Sequence, residues 1–252
     1  MAITRQQSLQ VAEDLLAISD QLAIQSMQYF TNSRFSWGAA ARVLVAFNIR
    51  DHLKGIVALM KADLDSQAYG LLRSLYENFL TLEYLSRVTV RGRRRLTPKQ
   101  KGFLFLSFPV YKRGLTDIQY QKENDFRRIR TRRSKLVKSD KYWHGSNLKD
   151  IAIELDKIRP KGDTPHLDNY LTVFSHLSFI SHPNSRDNIY YDFDDKTNTF
   201  VLKPPYHHDA TPFVSSLYAM RSFRKWATTI KSPLANEIEL LAKKIVKMSK
   251  LI

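Results

Sequence analysis

Residues 65–87 read DSQAYGLLRSLYENFLTLEYLSR, and their spacing decides the fold. At about 100° per residue, Leu64, Ala68, Leu71, Leu75, Phe79 and Leu82 fall on one face, while Arg73, Glu77, Leu80 and Tyr84 fall on the opposite one. Both faces carry apolar residues, so this helix is central and other elements surround it. Arg73 and Glu77 then stack one turn apart and at least half buried. An ion pair that only fixes the core accounts for these two residues as well as a functional site does.

Before this helix, Leu9, Leu15, Leu16, Ile18, Leu22, Ile24, Met27 and Phe30 recur at three- and four-residue steps, which predicts a helix from Gln7 to Phe30. Ser36 precedes a second run, Ala39 to Met60. Three long helices with short connections are antiparallel neighbours in a bundle. After it, Thr97-Pro98 opens a short helix to Phe108, and Thr116 to Lys138 reads as one long basic helix with a thin apolar stripe. Ser146 or Asn147 caps a helix to about Ile158, and Leu167 to His182 forms another that stops at Pro183. Ile189 to Phe193 and Thr199 to Leu202 flank a polar turn and predict a hairpin. Asp209 caps a helix to about Ile230, and Ser232-Pro233 starts the last, to Lys250. The expectation is an all-α, multi-helix bundle with one short β-hairpin near residues 189–202. It forms a single helical domain over 1–252, with its core at about 7–87 and 146–250 and a basic helical insertion at 88–141.

Charge singles out that insertion. The chain carries 40 Lys/Arg against 24 Asp/Glu, a net +16, which favours a polyanionic partner. Arg87 to Lys141 hold 18 Lys/Arg and 4 Asp/Glu, a local +14, so one segment holds nearly all of the imbalance. A solvated helix face explains such a run as well as a polyanion site does. The absence of cysteine excludes disulfide scaffolds and thiol chemistry. Met1 to Gln10 is polar, and the most apolar stretch, Trp37 to Ile49, is cut by Arg42 and too short to span a bilayer, so a cytoplasmic protein with no membrane span is expected. No Walker loop, dinucleotide fingerprint or paired-His zincin motif is present, and His207-His208-Asp209 lacks a ligand spacing, so neither cofactor nor metal is called for.

A second constellation lies before Pro183. Tyr170, Leu171, Phe174 and Leu177 form a stripe into which Ser178 falls, with His182 four residues on at the helix end. There the helix dipole favours a protonated imidazole, although a structural role serves equally well. No nucleophile elbow surrounds Ser178, so an acyl-transfer triad is not assigned.

Arg73-Ser74-Leu75-Tyr76-Glu77, then Tyr142-Trp143-His144-Gly145-Ser146 leading into Ile-Ala-Ile-Glu-Leu, then Tyr170, Ser178 and His182-Pro183, together resemble domain of unknown function 5677 over roughly residues 40 to 215. That family is helical and prokaryotic and is distantly similar to the HEPN-type domains of toxin–antitoxin and anti-phage systems. The resemblance implies that Arg73, Glu77, Ser178 and His182 converge on one site. HEPN ribonucleases use an Arg and a nearby His on one helix. The pair at that spacing here, Arg159 and His166, flanks Pro160, Gly162 and Pro165, a poor helix, and is not assigned.

Metal-independent RNA cleavage needs a base for the 2′-hydroxyl and a cation for the transition state, which are the types of His182 and Arg73. The expected partner is nucleic acid, RNA before DNA, held by Arg91, Arg93, Arg94, Arg95, Arg127, Arg128, Arg130, Arg132 and Arg133. A protein partner encoded nearby and a homodimer stay open. The expected function is binding or cleavage of RNA in phage defence or a toxin–antitoxin system. The alternative is a non-catalytic module that docks nucleic acid or protein. Attachment to an anionic membrane through the basic helix with Tyr120 and Phe126 ranks last.

Overall fold

The computed structural model describes residues 4–91, 94–117, 119–137, 141–143, 147–159, 165–171, 191–194, 199–202 and 211–249. Three long helices open the chain: α1 (Arg5–Asn32), α2 (Trp37–Lys61) and α3 (Asp65–Ser86). Their starts follow from capping chemistry. Thr4 and Gln7 form a reciprocal capping box on α1, and the Ser36 hydroxyl accepts from the Ala39 N–H on α2. Asp63 takes a left-handed conformation (φ 55°) in the turn between α2 and α3, where an Asp is tolerated. Arg5 clasps that turn, donating to Asp63 at 2.9 Å and to Asp65 at 3.0 Å.

Two helices close the bundle: α9 (Thr211–Thr229) packs on α1, α2 and α3, and α10 (Ala235–Ser249) packs on α9 and α1. The main core gathers Leu15, Ile49, Leu53, Leu75, Phe223 and Trp226 from α1, α2, α3 and α9. Trp226 Nε1 donates to Ser26 Oγ at 2.7 Å, joining residues 200 positions apart. The opposite face of α3 is buried too, as its all-round apolar character requires: Tyr76, Leu80 and Tyr84, joined by Phe79 from the edge of the first face, pack with Ile151 and Leu155 of α7 (Leu148–Asp156). Glu83 on α3 is buried between Arg87 at 3.2 Å and Lys225 of α9 at 3.3 Å, so its carboxylate is taken out of water with two cations.

The fold is all-α, as expected, and carries two small hairpins among the described residues. Strands β3 (Tyr191–Asp194) and β4 (Thr199–Leu202) pair where the sequence predicts them. The other hairpin, β1 (Thr89–Arg91) and β2 (Arg94–Leu96), falls where only a break was expected. Its register explains it. Thr89 and Leu96 pair and are both buried, while Val90 and Arg95 pair and are both exposed, the alternation of a half-covered ribbon.

The predicted long basic helix over Thr116 to Lys138 is corrected as well. A short α4 (Pro98–Leu106), capped by Thr97 and Gln100, gives way directly to α5 (Phe108–Thr116), so Pro109 sits in the first turn of a helix. The Asp117 carboxylate then accepts from the Gln119 N–H at 2.9 Å, a local turn that competes with helix continuation. A 3₁₀ turn (Tyr120–Lys122) leads to α6 (Asn124–Ser134). Asn147 caps α7 as predicted. The helix expected from Leu167 opens at His166 as α8 (His166–Asn169), whose first two N–H groups donate to the Asp156 carboxylate at 2.7 and 2.9 Å. Its expected continuation from residue 172 to His182 lies outside the described residues, as does Asp209.

Candidate nucleic-acid interface

The crossing of α4 over the start of α2 is a backbone contact. A Cβ on Gly102 would lie 2.2 Å from the Trp37 carbonyl oxygen, so only glycine lets the two helices meet this closely. That contact sets Trp37 and Phe103 edge to face, ring centroids 5.5 Å apart, and Phe35 stands edge to face on Trp37 at 5.1 Å. From α6 the Arg132 guanidinium lies 4.0 Å over the Phe103 ring. Between these elements runs a groove of about 830 Å³ lined by the apolar Trp37, Phe103 and Val110, by the cations Arg127, Arg128, Arg132 and Lys135, and by one carboxylate, Asp125. A groove of that size falls in the range of ligand clefts.

Two buried contacts hold α6 in place. Phe126 stacks on Tyr111 of α5 at 6.0 Å and presses on Gly114, where a Cβ would lie 2.0 Å from its ring. Arg133 is 1% exposed. Its Nη1 donates to Leu104 O at 2.9 Å and its Nη2 to Trp143 O at 3.3 Å, with its guanidinium 4.5 Å over Tyr111. This corrects the expectation that Arg133 contacts nucleic acid: it is the peg that ties α6 to α4.

Arg127, Arg128, Arg130 and Arg132 project outward from the same helix and are exposed. Among the described residues no carboxylate pairs with Arg127, Arg128 or Arg130. Arg95 is exposed on β2. Arg91 and Arg94 are placed only as strand backbone, and Arg93 lies outside the described residues. Sequence reasoning missed Phe35, Trp37 and Phe103. Aromatics near a basic run were a visible signal, but the convergence of Trp37 with α4 and α6 was not.

Lys101, one residue from the Gly102 contact, is fully buried under the groove wall. Its Nζ donates to the Tyr84 and Arg87 carbonyls at 2.8 and 2.9 Å and sits 3.6 Å over the Tyr84 ring, capping the C-terminus of α3. Burial pulls its ammonium down to about 7, against an opposing pull from Glu154. In the unfolded chain a lysine titrates near 10.4. Between these limits the unfolded state binds the extra proton. The cost of burying the ammonium is therefore fully present below about pH 7 and falls as pH rises toward about 10. Urea unfolding of the wild type and Lys101→Met from pH 6.5 to 10 should show the wild type gaining on the variant, at a slope approaching one bound proton. A constant difference across that range overturns this.

The second expected site is partly in view. Arg73 Nε meets Glu77 Oε1 at 3.3 Å, with side-chain exposures of 24% and 36%, so the pair is stacked and at least half buried as predicted. Tyr170 joins them. Burial and then the Glu77 carboxylate push its hydroxyl up, while Arg73 draws it down, which places all three within electrostatic reach. Ser178 and His182 lie outside the described residues. Beside this group Tyr76 donates to His166 O at 3.3 Å, and its ring and that of Phe79 each lie 4.9 Å from Tyr218. Burial pushes the Tyr218 hydroxyl up to about 12 and lowers the His166 imidazole, so both are neutral near pH 7. Arg159 follows α7 and His166 opens α8, so the two do not share one helix. Among the described residues no group of His, Asp and Glu has the arrangement of a metal site, and no helix is long and apolar enough to cross a membrane.

The fold and this surface define a helical-bundle protein with a cation-walled groove on its α4–α6 face. A model described as a family of unknown function (DUF5677) matches residues 43–200, and the chain belongs to that family. The matched span contains Arg73, Glu77, Tyr170, Ser178, His182 and all of α6, and begins after Phe35 and Trp37. No curated protein and no solved structure matches the chain.

Proposed function

We propose that this protein binds RNA through the α4–α6 face. The observation that carries the reading is the set of exposed cations on α6: Arg127, Arg128 and Arg132 line a groove that Trp37 and Phe103 also line, and Arg127, Arg128 and Arg130 have no carboxylate partner among the described residues. Phosphates supply the missing negative charge. A setting in phage defence or a toxin–antitoxin pair comes with the HEPN-like resemblance and belongs to the same proposal.

Fluorescence anisotropy with a labelled RNA between 50 and 200 mM salt tests it. Each phosphate contact contributes about −0.7 to −0.9 to the slope of log affinity on log salt. The triple variant Arg127→Gln, Arg128→Gln, Arg130→Gln should weaken binding across RNA sequences and reduce the slope by about 2–3. Affinity independent of salt, or unchanged in that variant, overturns the reading.

Cleavage is the further step in the same proposal. Arg73 stands beside Glu77 and Tyr170 on the family-matched span, and His182 is the base that the resemblance supplies. The RNA recovered from the binding assay, run on a denaturing gel, reads it. Fragments that Arg73→Ala or His182→Ala abolishes support cleavage, and intact RNA leaves a binding module.

A further inference from the structure

We infer that the groove takes unpaired RNA rather than duplex, with a base stacking on Phe35 and Trp37 while the cations of α6 hold the phosphates. This rests on the RNA-binding reading above and names the form of RNA that the same surface selects.

The rings make the case. Phe35, Trp37 and Phe103 form a ladder of edge-to-face contacts, and the Arg132 guanidinium sits 4.0 Å over its inner end. Phe103 is buried, Trp37 is half-buried, and Phe35 is 60% exposed, so the ladder climbs from the core out to solvent. Phe35 and Leu44, 60% and 45% exposed, leave a contiguous apolar patch open to solvent, the kind of surface that marks a binding site rather than a face that only attracts phosphates. Phe35 also walls a second, almost wholly apolar recess of about 340 Å³ with Phe30, Val43, Leu44 and Phe47. Phe35 lines that hollow and touches Trp37, which lines the cationic groove, so the two rings together form an aromatic ridge from one to the other.

An unpaired nucleotide matches both sides of that ridge. Its base has two flat apolar faces for Phe35, Trp37 and the recess, and its phosphate has the charge for Arg127 and Arg128. A duplex offers phosphates alone, because its bases are stacked on each other and cannot reach the ring ladder. Charge complementarity commits the surface to an anionic occupant, and the aromatic ridge commits it to one with exposed flat rings. An anionic lipid would satisfy the charge and the recess but not the edge-to-face ladder.

The test compares the full-length protein with a 12-nucleotide single strand, a hairpin duplex of the same composition and a 12-unit abasic ribose-phosphate strand, all at one salt concentration. Phe35→Ala removes the stacking ring and Phe35→Tyr keeps it. Because Phe35 lies outside the core, both variants should retain wild-type helical circular dichroism and melting. The expected result is single-strand binding about tenfold or more tighter than duplex or abasic binding. Phe35→Ala should reduce single-strand affinity by about tenfold, leave abasic affinity unchanged, and be rescued by Phe35→Tyr. Equal affinity for single strand and duplex, or single-strand affinity unchanged in Phe35→Ala, overturns the inference and leaves RNA binding standing. Sedimentation with anionic phospholipid vesicles without single-strand binding overturns it too. Failure to bind any of the three nucleic acids overturns the RNA-binding reading itself.

Discussion

Gly102→Ala lowers the melting temperature by about 6–12 °C, the result expected from a methyl group placed where backbone already stands. The added carbon would lie 2.2 Å from the Trp37 carbonyl oxygen, 2.5 Å from its carbonyl carbon and 2.7 Å from Gly38 Cα. A side chain in such a clash can rotate away, but main chain cannot, so α4 must move bodily off α2. Overpacking of this kind costs about 3 kcal/mol, the upper end of its usual range, because no soft atom absorbs the strain. In a chain of 252 residues each kcal/mol is about 2–4 °C of melting temperature. The displacement also reaches the groove, since Phe103 is the next residue and carries the Arg132 guanidinium. Gly70→Ala is the internal control. Nothing lies within 4 Å of a Cβ there, and Gly70 is inside α3, so the same change should leave stability equal or raise it by up to about 1 kcal/mol through helix propensity. Thermal unfolding by circular dichroism separates the two. A Gly102→Ala protein that melts with the wild type would mean that the α2–α4 contact is looser than it stands here.

That contact marks the boundary of what local sequence can reveal. Helices α1, α2, α3, α7 and α10 were legible because each carries its own periodicity, and in α2 and α7 a short polar residue, Ser36 or Asn147, stands just ahead of the apolar run as a cap. The Arg73–Glu77 pair was legible for the same reason, since four-residue spacing on one helix fixes a contact without any tertiary information. The β1–β2 hairpin was hidden because its strands are three residues each and its arginines read as a break in a helical pattern. The groove was hidden more deeply. Trp37 and Phe103 are 66 positions apart and are joined only by the close approach that Gly102 allows, while nothing near Arg132 in the chain indicates an aromatic ring beneath it. Arg133 was misread for a related reason. Phe126 and Arg133 lie seven apart on the buried face of α6, but the carbonyls that make an arginine tolerable there come from Leu104 and Trp143 on other segments.

Arg133→Ala should therefore behave as the loss of a core anchor, with a cost of about 3–5 kcal/mol, comparable to removing a large buried side chain. The variant deletes two hydrogen bonds from a charged donor, at 2.9 and 3.3 Å, and the stack over Tyr111 and Phe108, and it leaves the Leu104 carbonyl without this partner. The loss should fall first on α6, so amide exchange over residues 124–134 should accelerate more than exchange over α1 to α3. Arg133→Lys sharpens the comparison. It preserves the charge but gives up the guanidinium fork and its cation–π contact with Tyr111 and Phe108, so it should recover only part of the stability. If Arg133 touched phosphate instead, lysine would restore function almost fully and stability would hardly change in either variant. RNA binding below the melting range reads the difference. With Arg133 as an anchor, the salt slope of Arg133→Gln equals that of the wild type, whereas Arg128→Gln lowers it by about 0.7–0.9. A slope reduced by Arg133→Gln with melting unchanged would return Arg133 to the RNA-facing set, and the buried contacts that moor α6 would have to be sought elsewhere.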